Sequence, residues 1–149
     1  MEKCYEYANA DSIAYGLSPF APVSAGIEAG RILLNRIWTL RDAKKSFGFE
    51  STLAGKTYVH FLKECTHRDF SVRIYFLWVG TPELALKRVA DRVRQGGHSV
   101  PAADVRRRYF AGLRNLFHLY RPLADYFAII DNSGASPELT SEGIRQEFF

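Results

Sequence analysis

Polar side chains that could carry out phosphoryl transfer follow three short apolar segments of the sequence. They are Asn9, Asp11, Glu50, Ser51, Thr52, Asp131, Asn132 and Ser133. A carboxylate in such a set can take a proton from an attacking hydroxyl group or hold Mg²⁺. Each position also has a structural explanation, because Asp, Asn and Ser cap helices and form turns. For residues 131–134 we favour this structural explanation, a turn, over a role in binding.

An arginine-rich stretch supplies the opposite charge. Of the 20 basic residues 14 are Arg, and residues 86–121 carry nine basic and two acidic side chains. That stretch has a net charge of +7, whereas the rest of the chain sums to −3. Because a guanidinium group binds phosphate or carboxylate through paired hydrogen bonds, the stretch favours a phosphate-rich partner. If only the charge is considered, an ordinary helix face exposed to solvent explains it equally well.

Strands and helices alternate along the chain, which is typical of an α/β fold. Strands are predicted at residues 4–8, 46–49, 72–79 and 127–130, and helices at 24–43, 51–65, 82–95, 101–120 and 137–148. The nearly continuous apolar run 72–79 is typical of a central strand in a parallel sheet that is covered on both faces. We therefore expect a mainly parallel sheet sandwiched by helices, with the polar segments at the carboxyl ends of its strands.

Length and composition narrow the class of protein. A chain of 149 residues fits one domain, and 47% hydrophobic residues exclude a disordered protein. No apolar run approaches the ~20 residues of a membrane-spanning helix. Cys4 and Cys65 lack the spacing of metal ligands, as do the histidines, so we predict reduced thiols, no metal site and a cytoplasmic location.

A series of short motifs runs through the chain in a distinctive order. They are Asn9-Ala10-Asp11-Ser12, Leu17-Ser18-Pro19-Phe20, Phe47-Gly48-Phe49-Glu50-Ser51-Thr52, the run from Arg92 to Pro101, Arg107-Arg108-Tyr109, and Leu123 to Gly134. Over residues 5–134 this series resembles the zeta toxin family of P-loop kinases, and more specifically the subgroup labelled ABC-type ATPases. The resemblance implies a P-loop kinase-like fold and phosphate transfer from ATP, with Mg²⁺, to a hydroxyl group of UDP-N-acetylglucosamine.

The same resemblance implies a role for each motif. Asp11 would be the general base and Arg92 a lid arginine that reaches the phosphates. Asn9, Glu50 and Thr52 would bind substrate or support the Mg²⁺ site. The other implied positions are Arg88, His98, Arg107 and Arg108 for the phosphates or the lid, and Asp131, Asn132 and Ser133 for the loop that holds adenine.

One motif of that family is missing from this sequence. The family begins with a strand and a GxxxxGK[ST] phosphate loop, and the chain contains no such motif. Gly55-Lys56-Thr57 resembles its end, but Phe49 and Glu50 stand where the first glycine belongs, and the tripeptide falls inside the predicted helix 51–65. The loop supplies the amides and the lysine that hold the phosphates. We therefore expect a fold that is incomplete at its N-terminus, without tight binding of ATP or Mg²⁺.

Two functions from different classes follow. In the first, the chain is the C-terminal part of a zeta toxin-like kinase and is inactive alone. In the second, it is a non-catalytic kinase remnant that binds a nucleotide, a nucleic acid or a protein through its Arg-rich face. The expected partners are a nucleotide or sugar-nucleotide substrate, with an antitoxin and a homodimer as further candidates. The missing first strand would leave a gap at the centre of the sheet. We expect a homodimer or the N-terminal segment to fill that gap, or the gap to stay open. A membrane is excluded and nucleic acid is disfavoured.

Overall fold

A computed structural model describes residues 4, 6–97 and 99–145 of the chain. These residues form a mixed α/β structure with two small sheets. The chain divides into two compact units, Met1–Ser51 and Thr52–Phe149, which we call the N-terminal unit and the C-terminal unit. The mixed α/β class is therefore confirmed, whereas the single sheet is replaced by two. That the chain is one domain stays a prediction.

The N-terminal unit contains two strands and two α-helices. They are β1 (Glu6–Ala8), α1 (Ala10–Leu17), a 3₁₀ turn (Pro22–Ala25), α2 (Gly26–Asp42) and β2 (Phe47–Phe49). Strand β1 pairs in parallel with β2, and Ala8 lies opposite Phe49. Leu33, Ile37 and Leu40 are buried at the helical spacing of three and four residues, so one stripe of α2 forms the core of this unit.

Helix α1 is not among the helices that the sequence predicts. The side-chain oxygen of Asn9 accepts a hydrogen bond of 2.9 Å from the backbone amide of Ser12, so Asn9 is its N-cap. Asp11 lies in the first turn, where a negative charge is favourable. The helix predicted at 24–43 is confirmed as α2, although its first residues form the 3₁₀ turn.

The C-terminal unit has a three-stranded mixed sheet. Its elements are α3 (Thr57–Thr66), β3 (Arg73–Trp78), α4 (Pro82–Arg94), α5 (Ala102–Asn115), a π-helical turn (Leu116–Tyr120), a 3₁₀ turn (Arg121–Leu123), β4 (Tyr126–Asp131) and β5 (Glu138–Ile144). The strand order is β3-β4-β5, with β3 parallel and β5 antiparallel to β4. The strands predicted at 72–79 and 127–130 and the helices at 82–95 and 101–120 are thereby confirmed.

Two predicted helices differ from the structure. Helix α3 begins at Thr57 rather than at residue 51, because Leu53 adopts a positive φ of 55°, which a helix cannot contain. The tripeptide Gly55-Lys56-Thr57 therefore lies at the start of a helix and not inside one, with Lys56 as the N-cap residue and Thr57 as the first helical residue. The predicted helix 137–148 is strand β5 over Glu138–Ile144, where pairing with β4 overrides the local pattern; residues 146–149 are outside the described part.

Strand β3 is not the buried central strand that its apolar sequence predicts. In the described part of the chain it pairs with β4 along one edge only. Its side chains alternate in exposure, and Tyr75 and Leu77 keep 59% and 62% of their surface accessible. One face of this strand is consequently uncovered in the structure.

Candidate functional site

The carboxyl ends of β1 and β2 bring polar side chains of the N-terminal unit together. Because the two strands are parallel, with Ala8 opposite Phe49, the residues that follow them lie at the same edge. The backbone amide of Glu50 donates to the Ala8 carbonyl at 3.4 Å, which extends the pairing past the strands. Asn9 and Glu50 are therefore neighbours, as the sequence predicts.

Both oxygens of the Glu50 carboxylate are bound. The Tyr7 hydroxyl donates to Oε1 at 2.5 Å, and the Asn9 amide nitrogen donates to Oε2 at 2.7 Å. The hydrogen bond to Glu50, followed by partial burial and the charge of Glu50, raises the pKa of Tyr7 to about 12. A carboxylate oxygen has two lone pairs, so each oxygen can accept one more hydrogen bond from a ligand.

Asn9 connects this carboxylate to the start of α1. Its oxygen caps the helix through Ser12 while its nitrogen donates to Glu50. Asp11 follows two residues later in the first helical turn. Its side chain is exposed, and its carboxylate has no hydrogen bond or ion pair to any residue that the structure describes. The arrangement is an oriented carboxylate, Glu50, at the same strand ends as an accessible one, Asp11.

Tyr7 is the member of this group that sequence analysis missed. It lies inside a predicted strand, where an aromatic residue is ordinary. The parallel pairing of β1 with β2 is what brings its hydroxyl to Glu50, and no spacing in the sequence signals that contact.

In the C-terminal unit, the carboxyl ends of β3 and β4 gather the residues predicted to hold adenine. The Asn132 amide donates to the Trp78 carbonyl at 2.7 Å, and the Gly80 amide donates to Ser133 Oγ at 2.7 Å. Asp131 Oδ1 accepts from the Ser133 amide at 2.8 Å. Hydrogen bonds from the Ser133 side chain and backbone, with a smaller contribution from the charge of Arg88, lower the pKa of Asp131. The three predicted loop residues thus form one hydrogen-bonded turn.

Arg88 belongs to this turn. Its Nη2 donates to the Ser133 carbonyl at 3.3 Å, and the side chain is half-buried. The contact braces the turn against α4. A role for Arg88 toward a phosphate stays a prediction.

The other predicted phosphate-binding arginines fall into two groups. Arg107 pairs with Asp104 at 3.1 Å on α5, just as Arg106 pairs with Glu83 at 2.8 Å. The side chains of Arg92 and Arg108 are exposed, and their guanidinium groups form no hydrogen bond or ion pair within the described ranges. These two guanidinium groups are accessible to a ligand, and His98 lies outside the described residues.

Thr52, the remaining predicted substrate-binding residue, lies in the loop between β2 and α3. It is exposed, and its Oγ1 accepts a hydrogen bond of 3.4 Å from the Ala54 amide. The backbone of this loop is held by α5 and the π-helical turn through Asn115 and Tyr120. Thr52 is thus displayed on a loop whose backbone is anchored from inside the unit.

Two properties of the described residues bear on the kind of site. No group of three or more His, Cys, Asp or Glu side chains among them could hold a metal ion. No helix among them is both long and apolar enough to cross a membrane.

Comparison with known proteins identifies a relative. An uncharacterized protein of Haemophilus influenzae (strain ATCC 51907 / DSM 11121 / KW20 / Rd) is 30% identical to this chain over 101 residues, which are 68% of the chain and 72% of the relative. The chain belongs to the family of this Haemophilus protein. No family model matches the chain, and no solved structure matches it.

Proposed function

We propose that this chain provides the acceptor-binding part of a zeta toxin-like kinase, a P-loop kinase-like enzyme that phosphorylates a hydroxyl group of a sugar nucleotide such as UDP-N-acetylglucosamine. The observation that carries the proposal is the binding of Glu50 by Tyr7 and Asn9 at the strand ends where α1 presents Asp11. A fixed carboxylate beside an accessible one suits the recognition of a sugar, whose hydroxyl groups donate hydrogen bonds to carboxylate oxygens.

The roles follow from exposure and hydrogen bonding. Glu50 is held in place, so it orients the acceptor by accepting a hydroxyl hydrogen bond. Asp11 has no partner among the described residues, so it accepts the proton of the hydroxyl group that reacts. In the C-terminal unit, the exposed side chains of Arg92 and Arg108 bind anionic groups independently of Glu50 and Asp11.

The side chains present do not fit ATP and Mg²⁺. The sequence contains no GxxxxGK[ST] motif. The segment before Lys56 also lacks the first glycine of the motif, because Glu50 stands five residues before Gly55. We propose that the chain alone binds the acceptor and does not turn over ATP, as positioning of the phosphates is most of what such enzymes supply.

Two features of the fold support a P-loop kinase-like architecture. The pairs β1–β2 and β3–β4 are both parallel, and each gathers its polar residues at the carboxyl ends of the strands. Strand β3 has an edge without a partner strand in the described part, which leaves room for one further parallel strand. A phosphate-loop strand would occupy such a position in the complete fold.

A two-dimensional NMR titration with UDP-N-acetylglucosamine tests the proposal. In the wild-type chain we expect the largest chemical-shift changes at residues 9–12 and 50. In Glu50→Gln we expect no chemical-shift change at these residues. Glu28→Gln is the matched control, because Glu28 is an exposed glutamate in the first turn of α2. Shifts confined to the surface of α5, or the same shifts in Glu50→Gln, would contradict the proposal.

A second function is favoured by one observation, the unpaired exposed guanidinium groups of Arg92 and Arg108. In that case the chain is non-catalytic and binds an anionic partner through its Arg-rich face. Binding would then weaken steeply with salt and with Arg108→Gln, while Glu50→Gln would leave it unchanged. The acceptor-binding function predicts instead that Glu50→Gln weakens binding.

A further inference from the structure

The aromatic ring of Tyr7 lies on the face of the β1–β2 pair opposite to α2. Its neighbours Glu6 and Ala8 occupy the other face, where Ala8 is buried and Glu6 forms an ion pair of 2.6 Å with Arg36 of α2. Because successive side chains of a strand point to opposite faces, Tyr7 projects away from that helix. It keeps 61% of its surface accessible, and the roles assigned so far use only its hydroxyl group.

The ring lies over Gly48, which is opposite Tyr7 in the parallel register. A Cβ atom at Gly48 would lie 3.0 Å from Cδ2 and 3.3 Å from Cε2 of the ring. These distances are shorter than the roughly 3.5–4.0 Å at which carbon atoms pack best. The missing side chain at Gly48 therefore lets the ring lie directly against the backbone of β2.

The far end of the ring is held by its hydroxyl group, which donates to Glu50 Oε1 at 2.5 Å. Glu50 follows Gly48 by two positions, so both residues are on the same side of the pair. An aromatic side chain that is free to rotate loses that freedom when a ligand covers it, and this loss weakens binding. The Tyr7 ring is already fixed at Gly48 and at Glu50, so it is an exposed ring that is oriented before a ligand arrives.

The ring and the Glu50 carboxylate together suit one class of ligand group, a hexose ring. The face of an aromatic ring is negative and attracts C–H groups that carry partial positive charge. A hexose presents C–H groups on one face and hydroxyl groups around its edge, so it can lie on the Tyr7 ring while an edge hydroxyl donates to Glu50. Uracil would bring two carbonyl oxygens for its one N–H toward the carboxylates of Glu50 and Asp11, and the same two negative charges disfavour the diphosphate.

We propose that Tyr7 is a stacking platform for the hexose ring of the acceptor, whose C–H groups pack on the exposed face of the tyrosine while a neighbouring hydroxyl group donates to Glu50. The inference rests on the proposed function and names the chemical group that its site binds. Tyr7, Gly48 and Glu50 all belong to the N-terminal unit. In this role Tyr7 contacts the ligand in addition to orienting Glu50.

Proton NMR of UDP-N-acetylglucosamine with the protein in excess tests the stacking, because an aromatic ring shifts protons above its face upfield. We expect this upfield shift for the hexose ring protons and not for the uracil protons. Tyr7→Phe keeps the ring and should keep the shift. Tyr7→Leu should abolish the shift and weaken binding about three- to tenfold, the range of one aromatic contact. Tyr15→Leu is the matched control, because Tyr15 is 63% exposed in the same unit, and both readouts should equal those of the wild type.

Gly48→Val separates stacking from stability. Valine favours a strand more than glycine does, so stability in urea unfolding should stay at or above the wild-type value. Its side chain should displace the Tyr7 ring and reduce both the upfield shift and the affinity.

The outcomes distinguish the stacking platform from the proposed function. The inference alone would be overturned by a wild-type chain that binds without an upfield shift of the hexose protons, or that shifts the uracil protons instead. An unchanged shift and affinity in Tyr7→Leu, or loss of the shift in Tyr7→Phe, would also overturn it and leave acceptor binding in place. Failure of the wild-type chain to bind the sugar nucleotide would overturn both.

Discussion

The hydroxyl group of Tyr7 and the carboxylate of Glu50, 43 positions apart in the sequence, are joined by a hydrogen bond of 2.5 Å. Asn9 binds the other carboxylate oxygen. Two donors from one strand end thus orient a carboxylate from the neighbouring strand end. This relationship makes Glu50 a defined feature of the surface rather than a solvated side chain.

Tyr7 should titrate abnormally. Its pKa of about 12 means that the protonated hydroxyl is favoured in the folded state. The contribution to stability is complete below the unfolded value of about 10 and is lost as the pH rises through about 12. In ¹³C NMR of labelled tyrosine rings, the signal absent from Tyr7→Phe should titrate near pH 12, and Glu50→Gln should lower its pKa. A Tyr7 signal that titrates at the ordinary tyrosine value of about 10 would contradict the contact.

Asn9 has two separable duties. Asn9→Ala removes both the helix cap and the bond to Glu50, and should destabilise the protein by about 1 kcal/mol. Asn9→Ser keeps a capping oxygen and loses only the donor to Glu50. We expect Asn9→Ser to retain wild-type stability in urea unfolding and to weaken binding of the sugar nucleotide. Equal losses of stability in Asn9→Ala and Asn9→Ser would show that the loss does not come from the helix cap.

Ser133 should control the ionisation of Asp131. Its hydrogen bonds are the largest cause of the lowered pKa of Asp131, so Ser133→Ala should raise that pKa. A carboxyl group whose pKa is lowered on folding stabilises the protein at any pH above its unfolded pKa, and this stability is lost as the pH falls through its folded pKa. The wild-type protein should therefore be more stable than Ser133→Ala at neutral pH and lose that difference in acid. Carboxyl ¹³C shifts between pH 2 and 6 measure this, and Ser136→Ala, in the exposed end of the same loop, is the control. An identical Asp131 titration in both variants would contradict it.

Gly112 and Gly30 should respond oppositely to the same substitution. Gly30→Ala adds a Cβ in open space on α2 and should stabilise the protein by about 0.5–1 kcal/mol through helix propensity. Gly112→Ala places a Cβ 2.6 Å from the Thr52 oxygen and should destabilise it. Thermal unfolding compares the two. A gain in Tm for Gly112→Ala would mean that the loop does not lie against α5.

Part of the site follows from sequence. Asn9 and Glu50 follow apolar segments, and parallel strands bring such residues to one edge, so their meeting is predictable. Tyr7 is not predictable in the same way, because its role depends on which strand pairs with β1 and in which register.

The loop before α3 shows why other elements were missed. Nothing in Ser51-Thr52-Leu53 signals a positive φ at a leucine, and the groups that impose it, on Asn115 and Tyr120, are 62 and 65 residues from their partners. Strand β5 is similar, because pairing with β4 decides its conformation and local periodicity does not. Long-range contacts thus account for both errors.

Isothermal titration of UDP-N-acetylglucosamine into the wild-type chain, Asp11→Asn, Glu50→Gln and Glu28→Gln tests acceptor binding most directly. The proposed function predicts saturable binding to wild type and Glu28→Gln, and a loss of about tenfold or more in each of the other two, since hydrogen bonds to charged groups contribute about 1.5–3 kcal/mol. No binding to wild type, or equal affinity in all four proteins, would contradict it.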